Sequence, residues 1–234
     1  MLPSSRTPYA NAALAHRQRW RGRVGLLLVA SLSVLAGMTD AIGFMASGDF
    51  VSFMSGNTTR LAVAMGAGDL GLIGRLLLLI ATFVIGNALG VVVSRLGRRH
   101  ALPLLLCIAV LLSAAGLWPF ADTLPALLAA ITAMGMLNAA VEEVNGLPVG
   151  LTYVTGALSR FGRGLGRWML GERRNGWRVQ LIPWAGMFVG AVIGAVLEHQ
   201  WGLKALLVSA ALAALLGLIS LKIPRRWHLG YMPR

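Results

Sequence analysis

Residues 49–61 read DFVSFMSGNTTRL, a polar and hydroxyl-rich stretch that lies between two long apolar runs. One hundred positions later, LTYVTGALSRF at 151–161 repeats its pattern. Hydroxyl residues align with hydroxyl residues, aromatic with aromatic, glycine with glycine and arginine with arginine in the pairs 52/152, 53/153, 55/155, 56/156, 59/159 and 60/160. Because the surrounding chain is mostly apolar, composition alone does not explain this match. It indicates an internal duplication.

The composition around the two stretches is that of an integral membrane protein. Hydrophobic residues make up 57% of the 234 residues, charged residues only 12%, and the mean hydropathy is +0.73. A soluble domain carries about twice that share of charge. The chain has room for about six spans of roughly 20 residues each. Its single cysteine, Cys107, excludes an intramolecular disulfide and a cysteine-based metal site.

Six apolar runs predict an all-α membrane protein with six transmembrane helices. Each copy of the duplicated unit contains one span, a polar segment and two further spans, with repeat one at 24–119 and repeat two at 124–222. Because three spans is an odd number, the second copy enters the membrane from the opposite side. The fold expected is therefore two inverted three-helix repeats. The runs lie at 24–45, 70–94, 101–119, 124–141, 179–197 and 203–222.

Lysine and arginine are divided unevenly if the six runs cross the membrane and the polar segments do not. Five lie before the first run, three at 95–99, six at 160–178 and four at 222–234, from the end of the last run onward, which puts 18 of the 21 on one face. By the positive-inside rule that face is cytoplasmic. We expect a multi-pass protein of the bacterial inner membrane, with cytoplasmic tails at 1–23 and 223–234. Full crossing by 50–66 and 150–166 would largely remove the bias.

The two polar segments are the predicted functional part of the chain. Lipid does not satisfy backbone donors and acceptors, so a glycine-broken segment at membrane depth must be buried in protein or line a wet cavity. Re-entrant segments from opposite sides would meet near the midplane and face a small polar solute or ion. An amphipathic helix at each interface is the alternative, and it stays open. Candidate solute- or ion-binding residues are Asp40, Ser52, Ser55, Gly56, Asn57, Thr58, Arg60, Asn138, Thr152, Thr155, Gly156 and Ser159.

Asp40 is the sharpest single candidate because an acid inside a span is costly unless it is paired or hydrated. Arg60 is the partner that the sequence suggests. The alternative is an acid at the end of the helix, in the outer headgroup region. Its counterpart in the second copy, Asn138, does not titrate, which weighs against proton coupling.

Small-residue stripes at 86–90 and 186–194 predict close helix packing, and they would equally serve a homodimer. The net charge of +13 does not indicate nucleic acid here, because the arginines at 160–178 suit anionic lipid headgroups better. Within the sequence we find no enzyme signature and predict no cofactor or metal site.

The chain resembles the YoaK-like family (DUF1275) of uncharacterised multi-pass membrane proteins. The likeness rests on GMTDAIGF at 37–44, FVSFMSGNTTRLAVAMGAGD at 50–69 and IGNALG at 85–90. It implies a membrane fold and location but brings no substrate. The second copy matches less well, since Ala157 stands where the first has Asn57. We expect a small-solute or ion permease, with a non-transporting scaffold or accessory subunit as the alternative.

Overall fold

The computed structural model describes residues 8–97, 100–138, 143–144, 147–148, 154–172 and 176–222. This part of the chain is built from helices, apart from one pair of two-residue antiparallel strands, β1 (Glu143–Val144) and β2 (Leu147–Pro148). Two short 3₁₀ segments, Trp177–Gln180 and Gly202–Ala205, precede the last two helices. The helices are α1 (Pro8–Ser47), α2 (Met54–Ala67), α3 (Leu70–Leu96), α4 (Ala101–Gly116), α5 (Leu124–Leu137), α6 (Val154–Met169), α7 (Leu181–Trp201) and α8 (Leu206–Ser220).

The predicted all-helical membrane protein is confirmed at this level. Among the described residues, three stretches are long and apolar enough to cross a membrane: Gly22–Ser47, Leu70–Leu96 and Trp177–Ser220. The last contains both α7 and α8. The helices α4 and α5 are apolar but shorter. The six predicted runs thus fall on α1, α3, α4, α5, α7 and α8. The end of the fourth predicted run, 139–141, lies outside the described residues.

Small residues bring α1 and α7 into close contact along much of their length. A Cβ atom added at Gly190 would collide with the carbonyl oxygen of Val34. One added at Gly194 would collide with that of Met38. The prediction that this stripe serves helix packing is confirmed. Because residue numbers rise together on both helices, α1 and α7 run parallel.

The helices α4 and α8 instead run antiparallel. Gly116 at the end of α4 lies against Leu207 near the start of α8, and Gly217 near the end of α8 lies against Leu102 near the start of α4. Between them, and against α1 and α5, lies the apolar core. Its largest fully buried side chains include Leu32, Leu35, Leu104, Leu105, Ile108, Leu112, Ile131 and Met134.

Helix directions fix where the first polar segment begins and ends. The chain reverses between α7 and α8, since Gly202 has a φ of +58° and α8 returns to contact α1. It reverses again between α3 and α4, where Pro103 packs on Gly97. The helix α8 is therefore antiparallel to α1, α4 is parallel to α1, and α3 is antiparallel to α1. Residues 48–69 therefore leave and rejoin the helical bundle at the same end.

Replacement of Gly190 by alanine tests the close contact of α1 and α7. A methyl group there meets backbone rather than a movable side chain, and overpacking of this kind costs about 1–3 kcal/mol. We expect Gly190→Ala to lower the unfolding temperature in detergent by several degrees. Gly74→Ala is the matched control, because a Cβ atom at Gly74 meets nothing within 4 Å. Equal unfolding temperatures for the two variants would contradict the packing described.

Candidate functional site

Asp40 anchors the first polar segment through backbone hydrogen bonds. Its Oδ1 accepts the N–H of Val51 at 2.8 Å and that of Ser52 at 2.7 Å. The carboxylate is buried, and Val51 packs against Gly43 on the same face of α1. Both amides precede α2 and would otherwise lack partners in an apolar environment. Asp40 therefore positions the segment.

These contacts turn the segment back along α1. The chain reverses at Gly48, whose φ is +74°. Asp40 lies seven residues before the end of α1, which corresponds to about 10 Å along the helix axis. Residues 51 and 52 therefore lie beside the last two turns of α1 and not beyond its C-terminal end. From there α2 begins at Met54 and returns toward the end that the chain left.

Asn57 holds the same segment from the side of α2. Its Nδ2 donates to the carbonyl oxygen of Phe50 at 2.8 Å, and its Oδ1 accepts the Phe50 N–H at 3.3 Å. The side chain is fully buried. These two hydrogen bonds satisfy the side-chain amide of Asn57, and they fix the start of α2 relative to Phe50. Asn57 is therefore a second positioning residue.

A buried acid that the sequence analysis did not single out, Asp49, joins three parts of the fold. One carboxylate oxygen pairs with Arg60 of α2 at 2.5 Å, and the other pairs with Nε of Arg75 of α3 at 2.6 Å. Arg60 also donates to the carbonyl oxygen of Gly48. The predicted pair of Asp40 with Arg60 is therefore wrong. Asp49 takes that arginine because the turn at Gly48 brings it beside α2, whereas Asp40 faces the backbone.

Beyond these contacts, the first turns of α2 and α6 share a cavity of about 370 Å³. The first polar segment contributes one wall and the second contributes the other. Phe83, the central residue of α3, also lies on it, about 20 Å from either end of that helix. This places the cavity near mid-depth of the longest apolar helix. The lining residues are Ser52, Phe53, Met54, Ser55, Phe83, Val154, Thr155, Gly156 and Arg160.

On the second wall, Arg160 combines a positive charge with a fixed orientation. Its Nε donates to Oε1 of Gln180 at 2.8 Å, and Gln180 is buried at the start of α7. The helix α6 then leaves the cavity and contacts the 3₁₀ segment before α7, where Gly164 touches the Trp177 side chain. Its outer half carries Arg163 and Arg167, both exposed.

Comparison with known proteins gives the family. The model of a family described as "Protein of unknown function (DUF1275)" matches residues 28–219. The chain belongs to the DUF1275 family. The predicted resemblance is thereby confirmed. A UPF0700 transmembrane protein, RA0705, from Rhizobium meliloti (strain 1021) is 54% identical over 211 residues, covering 90% of this chain and 92% of the relative. No solved structure matches the chain significantly.

In this DUF1275 chain the candidate residues divide into two groups. Four of them line the cavity: Ser52, Ser55, Thr155 and Gly156. The other described candidates do not belong to its lining. These are Asp40, Gly56, Asn57, Thr58, Arg60, Asn138 and Ser159, while Thr152 lies outside the described residues.

The candidates away from the cavity have visible local partners. Thr58 Oγ1 donates to the Met54 carbonyl oxygen of its own helix at 2.8 Å. Ser159 accepts from Arg163, and a Cβ atom at Gly56 would collide with the Phe53 ring at 2.5 Å. Gly56 is thus required by close aromatic packing. The lining residues Phe83 and Arg160, with Gln180 behind Arg160, were absent from the candidate list. The small-residue stripe at 86–90 was the sequence signal nearest to Phe83 on α3.

Asp40→Leu tests the positioning role of the carboxylate. Leucine has a similar volume but leaves the amides of Val51 and Ser52 without an acceptor, which costs about 3 kcal/mol or more for two buried donors. We expect a marked loss of thermal stability in detergent, with a smaller loss for Asp40→Asn, which keeps one oxygen.

Asp122→Leu is the control for that change, because Asp122 accepts one N–H, from Leu124, in an exposed turn. A small effect there is expected. If Asp40→Leu were no more destabilising than Asp122→Leu, the carboxylate would not hold the segment.

Proposed function

We propose that this DUF1275 chain is a permease for a small polar solute or ion, built from two inverted repeats. The observation that carries the proposal is the cavity shared by the two polar segments. A cavity with hydroxyl groups and an arginine at mid-depth of an apolar bundle has no evident packing purpose, since polar groups in lipid are expensive.

The helix directions support the inverted arrangement. Residues 48–69 begin and end at the end of the bundle where α1 ends. The turn between α4 and α5 is closed by the Trp118 Nε1 bond to the Asp122 carbonyl oxygen, and α5 packs on both α4 and α3. The helix α5 is parallel to α3, and α7 is parallel to α1. Residues 138–180 therefore begin and end at the end of the bundle opposite to that of residues 48–69. Each repeat then sends one polar segment inward from its own side.

The lengths of α2 and α6 fit half-spanning helices. Both begin at the cavity, and they extend about 21 Å and 24 Å from it. Half of the hydrocarbon core is about 15 Å thick. Each helix is therefore long enough to reach one membrane surface from the middle, and the re-entrant interpretation is favoured over interfacial helices. Broken helices that meet at the midplane are common in transporters built from inverted repeats.

The positive-inside bias orients the proposed bundle. The termini, the turn between α3 and α4, and the end of α6 face the cytoplasm of the inner membrane in this arrangement. Arg163 and Arg167 then approach the headgroups, where we propose contact with anionic lipids. The homodimer stays a prediction from the sequence, because Gly86 packs on α5 while Gly190 and Gly194 pack on α1 within the chain.

Flux through proteoliposomes tests the permease. In a Cys107→Ser background, Ser55→Cys places a thiol on the cavity wall, and Thr58→Cys places one on the same helix but off the cavity. With glycerol, urea, potassium formate and potassium chloride as probes in stopped-flow light scattering, we expect faster flux of at least one probe than in protein-free vesicles. Maleimide should reduce that flux at least about fivefold for Ser55→Cys and leave it unchanged for Thr58→Cys.

Equal inhibition of both variants would mean that the cavity is not the path. No flux of any probe would favour the scaffold. In that case neutralisation of the arginines on the outer half of α6 should remove the bound partner or lipid.

A further inference from the structure

We propose that α6 is the moving gate of the permease and that α2 is its fixed wall, an inference that rests on the permease proposed above. A gate here is the element whose displacement opens or closes the cavity on one side of the membrane. The two helices have similar lengths, and both begin at the cavity. They differ in how they are held: buried polar contacts tie α2 to two other helices, whereas α6 is tied to one short segment.

The stretch of chain just before α2 is held to α1 by backbone bonds and by aromatic rings. The carboxylate of Asp40 accepts two backbone amides of this stretch. The ring of Phe44 on α1 stacks on Phe50 with 4.7 Å between the centroids, and Phe50 meets Phe53 edge to face at 5.2 Å. Such ring pairs stabilise beyond the area that they bury. A displacement of this stretch from α1 would break both kinds of contact.

An ion-pair network ties α2 to α3. The carboxylate of Asp49, which is only 2% exposed, pairs with Arg60 of α2 and with Arg75 of α3. The buried side chain of Asn57 adds two hydrogen bonds to Phe50. Separation of a buried ion pair leaves an uncompensated charge, which is strongly destabilising. The helix α2 is therefore fixed relative to both α1 and α3.

The helix α6 is held at fewer points. Within the described chain, the polar and ring contacts that α6 makes outside itself all end on the segment Trp177–Gln180. Arg160 donates one hydrogen bond to it, and the ring of Phe161 lies 5.1 Å from that of the tryptophan. Gly164 touches the same tryptophan side chain. Burial alone does not separate the two helices, because both are mostly exposed or half-buried.

The segment that holds α6 is joined to α7 by fewer backbone hydrogen bonds than a continuous helix would provide. It is a 3₁₀ turn. Pro183, the third residue of α7, has no N–H and does not donate to the carbonyl oxygen of Val179, four residues earlier. Before the segment, Gly176 has a φ of +105°, which glycine adopts readily. The segment and α6 can therefore shift together while α7 stays packed on α1.

Two glycines weaken α6 itself without serving a contact in the described chain. A Cβ atom added at Gly162 or Gly166 would meet nothing within 4 Å, so packing does not require glycine there. In a helix interior, glycine in place of alanine disfavours the helical state by a factor of about five. Gly164 differs, because the side chain of Trp177 leaves no room for a Cβ atom. The two unpacked glycines therefore favour bending or local opening of α6.

Hydrogen–deuterium exchange by mass spectrometry tests the difference in mobility without any transport measurement. The full chain is studied in phosphatidylcholine nanodiscs, and rates are corrected for the intrinsic exchange of each sequence. We expect the amides of 158–169 in α6 to exchange at least about tenfold faster than those of 58–67 in α2. Equal exchange in the two helices, or faster exchange in α2, would overturn the proposal.

Stiffening of α6 tests whether its mobility serves transport. The double variant Gly162→Ala/Gly166→Ala should slow exchange in α6 about tenfold and reduce flux of the transported probe at least about threefold, with α2 unchanged. Gly66→Ala is the matched control, because a Cβ atom there also meets nothing within 4 Å but lies on α2. It should change neither exchange in α6 nor flux. Slower exchange in α6 with undiminished flux would overturn the gate.

Loosening of α6 gives the opposite change. Trp177→Ala removes the ring on which α6 packs, and it should speed exchange in α6 at least about fivefold. Trp184→Ala is its control, since that ring stacks on Phe188 within α7. Equal effects of the two variants on α6 would contradict the attachment described.

The outcomes separate the gate from the permease. Flux of a probe, with α6 no more mobile than α2, would overturn the gate and leave the permease. A mobile α6 without flux of any probe would overturn the permease and the gating role with it. Flux that falls when α6 is stiffened, and not when Gly66 is replaced, would support both.

Discussion

The fold depends on one requirement: backbone amides that enter the apolar bundle must find acceptors inside the protein. The Asp40 carboxylate meets it for Val51 and Ser52, and the Asn57 side chain meets it for Phe50. These bonds let an irregular stretch of chain lie beside α1 within the helical bundle. The start of α2 and the position of Ser52 on the cavity wall follow from that placement.

The two halves of the chain solve this requirement differently. Asp40 and Asn57 of the first copy correspond to Asn138 and Ala157 of the second, and Ala157 is simply buried against its neighbours. The second segment is instead fixed near the cavity by Arg160 and its bond to Gln180. The two polar segments therefore contribute unequal walls to the cavity: the first contributes Ser52 and Ser55, and the second contributes Thr155 and Arg160.

Much of the framework was predictable from sequence. Apolar runs located α1, α3, α4, α5, α7 and α8, because burial in lipid or core demands long apolar stretches. The offset of 100 residues between the two polar segments pairs Ser55 with Thr155, and both line the cavity. The roles of single polar residues were not predictable in the same way. Asp40 was expected to face a solute or Arg60, and it faces backbone amides, since sequence does not reveal which partner lies opposite a carboxylate. Asp49 was not among the candidate residues, because an acid at the end of a loop is usually exposed to solvent.

The central claim is that the two half-spanning helices reach the cavity from opposite membrane faces. Sided labelling of cysteines at their far ends tests it most directly. In a Cys107→Ser background, the variants Ala67→Cys and Leu170→Cys place single thiols at exposed positions, one at the end of α2 and one just after α6. A membrane-impermeant maleimide should label Ala67→Cys in intact cells and Leu170→Cys only in inside-out vesicles. Labelling of both from the same face would contradict the inverted arrangement and the shared site built on it.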